Sequence, residues 1–167
     1  YLGDEKFPYL IKDNDHELKK QGNNLFRADT ILLDHNDIEM NFDIIIGNPP
    51  YSKKKIPLHI IEYCQKEGFS LEFVIPFIHK STLLAPNGKI ALLAPTKILT
   101  NTLKPAQNFR NWLFNENYVE KIYNLSILRK APKTFGGQLF SSAIVPASIY
   151  FFQPKAPERI SKTIEYW

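Results

Sequence analysis

Five consecutive residues, Gly47-Asn48-Pro49-Pro50-Tyr51, bring together a primary amide, two rigid prolines and an aromatic ring. The Asn48 side-chain oxygen and the Pro49 carbonyl can both accept hydrogen bonds from one amino group, and the prolines fix φ so that the carbonyls keep one direction. Tyr51 offers a ring face on which a planar group can stack, worth roughly 1–3 kcal/mol for a nucleic-acid base. Two acceptors on one amino nitrogen keep its lone pair from delocalising into the attached ring and ready it as a nucleophile. These residues therefore predict the capture and activation of a planar group bearing NH₂, with no general base of shifted pKa required.

The segment before them decides where they stand. Phe42-Asp43-Ile44-Ile45-Ile46-Gly47 reads as a strand, and its unbroken β-branched run predicts cover on both faces, as in a parallel sheet. Asn48-Pro49-Pro50 stops that strand, because proline has no backbone donor. In an open α/β sheet, ligands bind beyond the carboxyl ends of the strands, which is where Asn48 and Tyr51 fall.

The other elements follow from spacing. Apolar residues at 56, 60, 61 and 64 predict a helix over 56–66, ended by Gly68. Phe73, Val74, Phe77, Ile78 and Leu84 predict a second helix, with Pro76 either kinking it or lying in its first turn. Pro86-Asn87-Gly88 reads as a turn, 89–95 as a buried strand, and 108–115 as a helix with Phe109, Trp112 and Leu113 inward. Segments 119–125 and 143–152 read as strands with no helix between them, hence a hairpin, and 24–29 as a short strand. The aromatics at 69, 73, 77 and 150–152 fall at element periodicities and read as core. The expected fold class is α/β, a mostly parallel sheet with a C-terminal antiparallel strand, in a single domain over 1–167 with 1–23 as a lead segment.

Composition narrows the function classes. At 167 residues, 44% apolar and 23% charged, the chain can bury its own core, which excludes disorder and fibrous folds. Its apolar runs fall far short of the roughly 18 residues of a membrane span. The lone Cys64 forms no internal disulfide, and no export signal is legible at the start, so a cytoplasmic setting is expected. The four histidines show no metal-ligand spacing, and no metal site is expected. The net charge of +4 is uneven: residues 1–50 carry −5 and residues 51–167 carry +9, a skew that fits an anionic partner on the C-terminal side. Lys53, Lys54 and Lys55 directly after Tyr51, and Arg129, Lys130 and Lys133 before the last strand, are candidate phosphate contacts.

The stretch Asp43-Ile44-Ile45-Ile46-Gly47-Asn48-Pro49-Pro50-Tyr51 resembles the catalytic motif of the N6-adenine DNA methyltransferases of restriction-modification systems. Residues 83–95 are similar to the helix, turn and strand that follow the motif in that family, and 141–152 to its final antiparallel strand. The resemblance covers roughly 24–153. It implies a Rossmann-like methyltransferase sheet that uses S-adenosyl-L-methionine and acts on a flipped adenine in double-stranded DNA. It assigns Asn48, Pro49 and Tyr51 to catalysis and Asp29, within Ala28-Asp29-Thr30-Ile31-Leu32, to the adenine ring of the cofactor; Pro50 and, on their charge, the six basic residues are the expected substrate contacts.

The sequence departs from the family in one respect. The family holds its cofactor on a Gly-rich loop after a first strand, and no spaced pair among Gly3, Gly22, Gly47, Gly68, Gly88, Gly136 and Gly137 forms such a loop near the N-terminus. The expectation is a partial methyltransferase sheet, the substrate-side piece of a larger restriction-modification protein; the abrupt apolar end at Tyr166 and Trp167 reads the same way. Two alternatives stand beside it. One is a methyltransferase acting on a protein glutamine or an RNA base, since each presents a planar NH₂. The other is a catalytically inactive module that binds DNA or a partner subunit.

Overall fold

The structure, a computed structural model, describes residues 28–33, 42–51, 55–130, 134, 137, 145–156 and 163–167. The chain divides into two compact units, Tyr1–Met40 and Asn41–Trp167. The described residues of the first form a turn. The Asp29 carbonyl accepts from the amides of Leu32 and Leu33 at 3.1 and 3.2 Å, and its Oδ1 accepts from Ile31 N at 3.0 Å. The short strand predicted over 24–29 is not seen where it can be checked, since Ala28 and Asp29 lead into this turn; residues 24–27 lie outside the described residues.

The second unit carries five strands: β1 (Ile44–Gly47), β2 (Lys89–Pro95), β3 (Tyr118–Asn124), β4 (Ala147–Gln153) and β5 (Glu165–Tyr166). Its helices are α1 (Leu58–Glu67), α2 (Val74–Leu84) and α3 (Lys104–Asn115), with 3₁₀ turns at Thr96–Leu99 and Ser126–Lys130. The sheet order is β1-β2-β4-β3-β5. β1 is parallel to β2, β4 is antiparallel to both β2 and β3, and β3 is parallel to β5. Four strands thus run one way and β4 alone runs against them. This is the α/β sheet with one late antiparallel strand that the hydrophobic pattern predicts.

Local chemistry sets the helix limits. Gly68 ends α1 at φ 68°, a left-handed cap that costs glycine no Cβ clash, and Phe69 N then reaches the Cys64 carbonyl at 2.8 Å. Pro76 falls in the first turn of α2, where no intrahelical donor is needed. For the same reason Pro105 opens α3, which therefore starts four residues before the position predicted from apolar spacing. Phe109 and Leu113 are fully buried there, with Trp112 packed against the core. Tyr150 and Phe152 of β4 sit in the same core with Ile90 and Leu92 of β2.

His79 of α2 stands where three helices meet. Its Nδ1 lies 2.7 Å from the Tyr63 hydroxyl of α1, and the rings of Phe69 and Trp112 meet it edge-on with centroids 5.3 and 4.6 Å away. Burial holds its affinity for a proton below that of a free imidazole.

One feature of the sheet departs from expectation. Among the described strands β1 lies at an edge, and Ile44 and Ile46 are 65% and 79% exposed while Ile45 packs on the core, so the isoleucine run is covered on one face among the described residues. β5 forms the other edge of the described sheet. Trp167 N donates to the Ile122 carbonyl at 3.0 Å and Asn124 N to the Trp167 carbonyl at 2.6 Å.

A close backbone approach positions β1. The turn after α2 passes so near the strand's start that a Cβ on Gly88 would lie 2.3 Å from the Phe42 carbonyl oxygen and 2.7 Å from that of Asp43. Phe42 N donates to the Leu84 carbonyl at 3.1 Å and Lys89 N to the Asp43 carbonyl at 2.8 Å. Glycine is therefore required at position 88 for close packing, and the pairing that begins there runs from Ile44 opposite Lys89 to Gly47 opposite Leu92.

Candidate active site

Because β1 and β2 are parallel neighbours, their carboxyl ends emerge side by side. β1 delivers Asn48-Pro49-Pro50-Tyr51, and β2 delivers Pro95-Thr96-Lys97. Pro49 is buried and anchors the tip, whereas Asn48 and Pro50 are exposed. The Asn48 amide is exposed and makes no side-chain hydrogen bond among the described residues.

Tyr51 is divided between two environments. Its ring is half-buried against the core cluster, and its hydroxyl is sealed from solvent with no partner among the described residues. Burial pushes the phenol up to about 12, so it stays neutral across the physiological range.

Tyr51 lines a cavity of about 260 Å³ together with Glu72, Phe73, Pro95, Lys97 and Val145. The volume is slightly below the roughly 300–1,000 Å³ of sites for drug-sized ligands, and suits a single heteroaromatic ring system. Lys97 Nζ lies 3.0 Å from Glu72 Oε2; the Glu72 side chain is 11% exposed and that of Lys97 46%. Behind the cavity a chain of hydroxyls ties the strand ends together. Thr96 Oγ1 is 2.8 Å from Ser148 Oγ and 3.2 Å from Ser126 Oγ, and Ser126 Oγ donates to Asn124 Oδ1. The buried Tyr150 hydroxyl donates to the Pro95 carbonyl at 3.4 Å.

The basic residues are distributed as follows. Lys55 is exposed in the segment leaving Tyr51, with φ 32°, and Lys130 is exposed in the 3₁₀ turn beyond the carboxyl end of β3. Lys53, Lys54, Lys133 and the side chain of Arg129 lie outside the described residues. Asp29 belongs to the first unit, where its carboxylate caps its own turn. Among the described residues no group of three or more His, Cys, Asp or Glu could hold a metal ion, and no helix is long and apolar enough to cross a membrane.

Sequence reasoning did not select Glu72, Lys97 or Val145, and took Phe73 for core. A usable signal existed for Lys97, which stands two residues past the end of a buried strand, where the rule that singled out Asn48 applies equally.

The sequence model of the Eco57I restriction-modification methylase family matches residues 2–129. No curated protein matches the chain. Among solved structures, it is similar to the M protein of the type I restriction enzyme EcoKI, at 16% identity and a TM-score of 0.55 over 77% of this chain and 24% of that one. It is similar to the type IIG restriction endonuclease BpuSI, at 18% identity and a TM-score of 0.54 over 77% of this chain and 15% of that one. A nuclease-deletion mutant of the Type ISP restriction-modification enzyme LlaGI, solved in complex with a DNA substrate mimic, gives 19% identity and a TM-score of 0.55 over 77% of this chain and 14% of that one. These likenesses are of fold. The chain spans about a quarter or less of the length of each.

Proposed function

The chain belongs to the Eco57I restriction-modification methylase family, and from that premise we propose that it forms the substrate side of a DNA methyltransferase acting on the N6 amino group of adenine. One observation carries the reading: at the carboxyl tip of β1, an exposed amide with an open acceptor stands three residues from a ring that lines a base-sized cavity. Asn48 Oδ1 and the Pro49 carbonyl accept hydrogen bonds from the two amino N–H groups, Tyr51 stacks on the flipped base, and the nitrogen lone pair is held out of conjugation with the ring. A bound methyl donor would supply the methyl group and leave as a neutral thioether, and the nitrogen would release one proton to water. The neutral phenol of Tyr51 takes no proton in the step.

The methyl donor in this reading is S-adenosyl-L-methionine. The described residues do not fit out a pocket for it. The sequence has no Gly-rich loop near its start, Gly88 is spent on the β1 approach, a Cβ on Gly47 would meet Leu92 at 3.1 Å, and Asp29 has one carboxylate oxygen in its own turn. Lys53, Lys54, Lys55, Arg129, Lys130 and Lys133 are the basic residues that neutralise DNA phosphates in this reading, consistent with the +9 of residues 51–167. The rest of the restriction-modification protein is the partner that completes the site, and the setting in this reading is the cytoplasm, which the lone Cys64 favours.

The test is transfer of a labelled methyl group to unmethylated DNA by the whole protein, followed by nucleoside digestion. Label in N6-methyladenine is expected. Asn48→Ala should lower the rate by about 100-fold or more, the scale seen when one preorganised hydrogen-bonding group is removed from a reacting centre. Stability should be unchanged, because the side chain is exposed and unbonded. Transfer at the normal rate by this variant would refute the assignment.

A further inference from the structure

The cavity beside Tyr51 contains a charged pair that gripping an amino group does not use. Tyr51 stands four residues past Gly47, and Lys97 five residues past Leu92, the pairing partner of Gly47. The two therefore reach the same cavity from adjacent strand ends. The remaining lining residues are uncharged, and Phe73 and Val145 give the space apolar walls. Glu72 holds the Lys97 ammonium at 3.0 Å and is itself mostly buried, so one donor of the ammonium is committed and its direction is set. An ammonium has three donors, and the half-exposed head leaves the others available. The pair is neutral overall, which suits an uncharged acceptor within a ring better than a phosphate.

We propose that Lys97, oriented by Glu72, is a specificity-determining residue that donates a hydrogen bond to a ring nitrogen of the base whose amino group Asn48 holds. The proposal rests on the reading of the site as a base-binding methyltransferase centre. It adds a second point of recognition: the cavity selects a heterocycle with an acceptor nitrogen as well as an NH₂.

The experiment uses the whole protein and duplex oligonucleotides containing the site it methylates, with the target adenine replaced in turn by 1-deaza-, 3-deaza- and 7-deazaadenine, each lacking one ring acceptor. With the unaltered protein, one replacement should lower kcat/KM by roughly 10- to 100-fold, the scale of a hydrogen bond to a charged group. Lys97→Met should lower kcat/KM on adenine by a similar factor and should no longer respond to that replacement, the signature of a coupled pair. Lys97→Arg keeps the charge and the pairing with Glu72, and should fold normally while losing most of the discrimination. The slope of DNA affinity against salt should be the same in all three proteins. A slope reduced by about one in Lys97→Met would make Lys97 a phosphate contact and overturn the proposal. So would a Lys97→Met protein that keeps the full deaza penalty, or an unaltered protein indifferent to all three bases. Each of these outcomes leaves the Asn48 assignment standing, which only the Asn48→Ala rate tests.

Discussion

Replacing Tyr51 by phenylalanine should make the protein more stable and leave its chemistry intact. The hydroxyl is buried without a hydrogen-bond partner among the described residues, while the ring is half-buried and lines the cavity. Burying an unbonded hydroxyl costs about 1–3 kcal/mol by protein mutational data, and the lower end applies beside an open cavity. Tyr51→Phe removes that cost and keeps the ring's contacts, so a gain of about 1 kcal/mol is expected. With a urea m-value of about 2 kcal/mol/M, the unfolding midpoint should rise by about 0.5 M at unchanged m. Methyl transfer to DNA should stay within about twofold, because the substitution retains the stacking face, worth roughly 1–3 kcal/mol per base. Tyr51→Ala should lose that face and weaken binding accordingly. A Tyr51→Phe protein that is less stable by 1 kcal/mol or more would mean that the hydroxyl has a partner. Abolished transfer would mean that the phenol takes part in the reaction, against the neutral role its burial implies.

Two further outcomes follow from the fold. Gly88→Ala places a methyl group 2.3 Å from the Phe42 carbonyl oxygen, so it should destabilise by about 1–3 kcal/mol or more through forced backbone movement, read as a lowered urea midpoint. Stability should fall as pH drops below 6.5, the ordinary value for histidine, because the unfolded chain protonates His79 there while the buried ring resists until lower pH. His79→Gln should reduce the pH dependence below 6.5, and an unchanged profile would show that the slope has another source.

The sheet was largely legible because its signals are local. The β2 limits, the Gly68 cap and the Pro76 first turn each depend on a few adjacent residues whose chemistry permits few alternatives. The place of residues 48–51 at a strand end was legible for a related reason: two prolines cannot continue a ladder, and β1 stops at Gly47 just before them. What escaped depends on strand order. Ile44-Ile45-Ile46 has the composition of a buried strand whether it lies at the centre or the edge, and only the pairing places it at the edge. Glu165 and Tyr166 are too few to show a period, so their alignment beside Lys121 and Ile122 depends on tertiary pairing. Glu72 and Lys97 are 25 residues apart in sequence and become neighbours because α2 and β2 bring the chain back beside itself.

The contact under Gly88 also makes β1 a lever. The strand is held at its start by the turn after α2, and its far end carries Asn48. Four residues at about 3.3 Å each give an arm of about 13 Å. A reacting centre tolerates errors of about 0.5 Å, so in the proposed site β1 could swing through only about 2° before its tip left the working position. The four-residue pairing with β2 supplies that angular stiffness. A disturbance at Gly88 is thus magnified along the arm, and a turn with no chemistry of its own controls the aim of the amide.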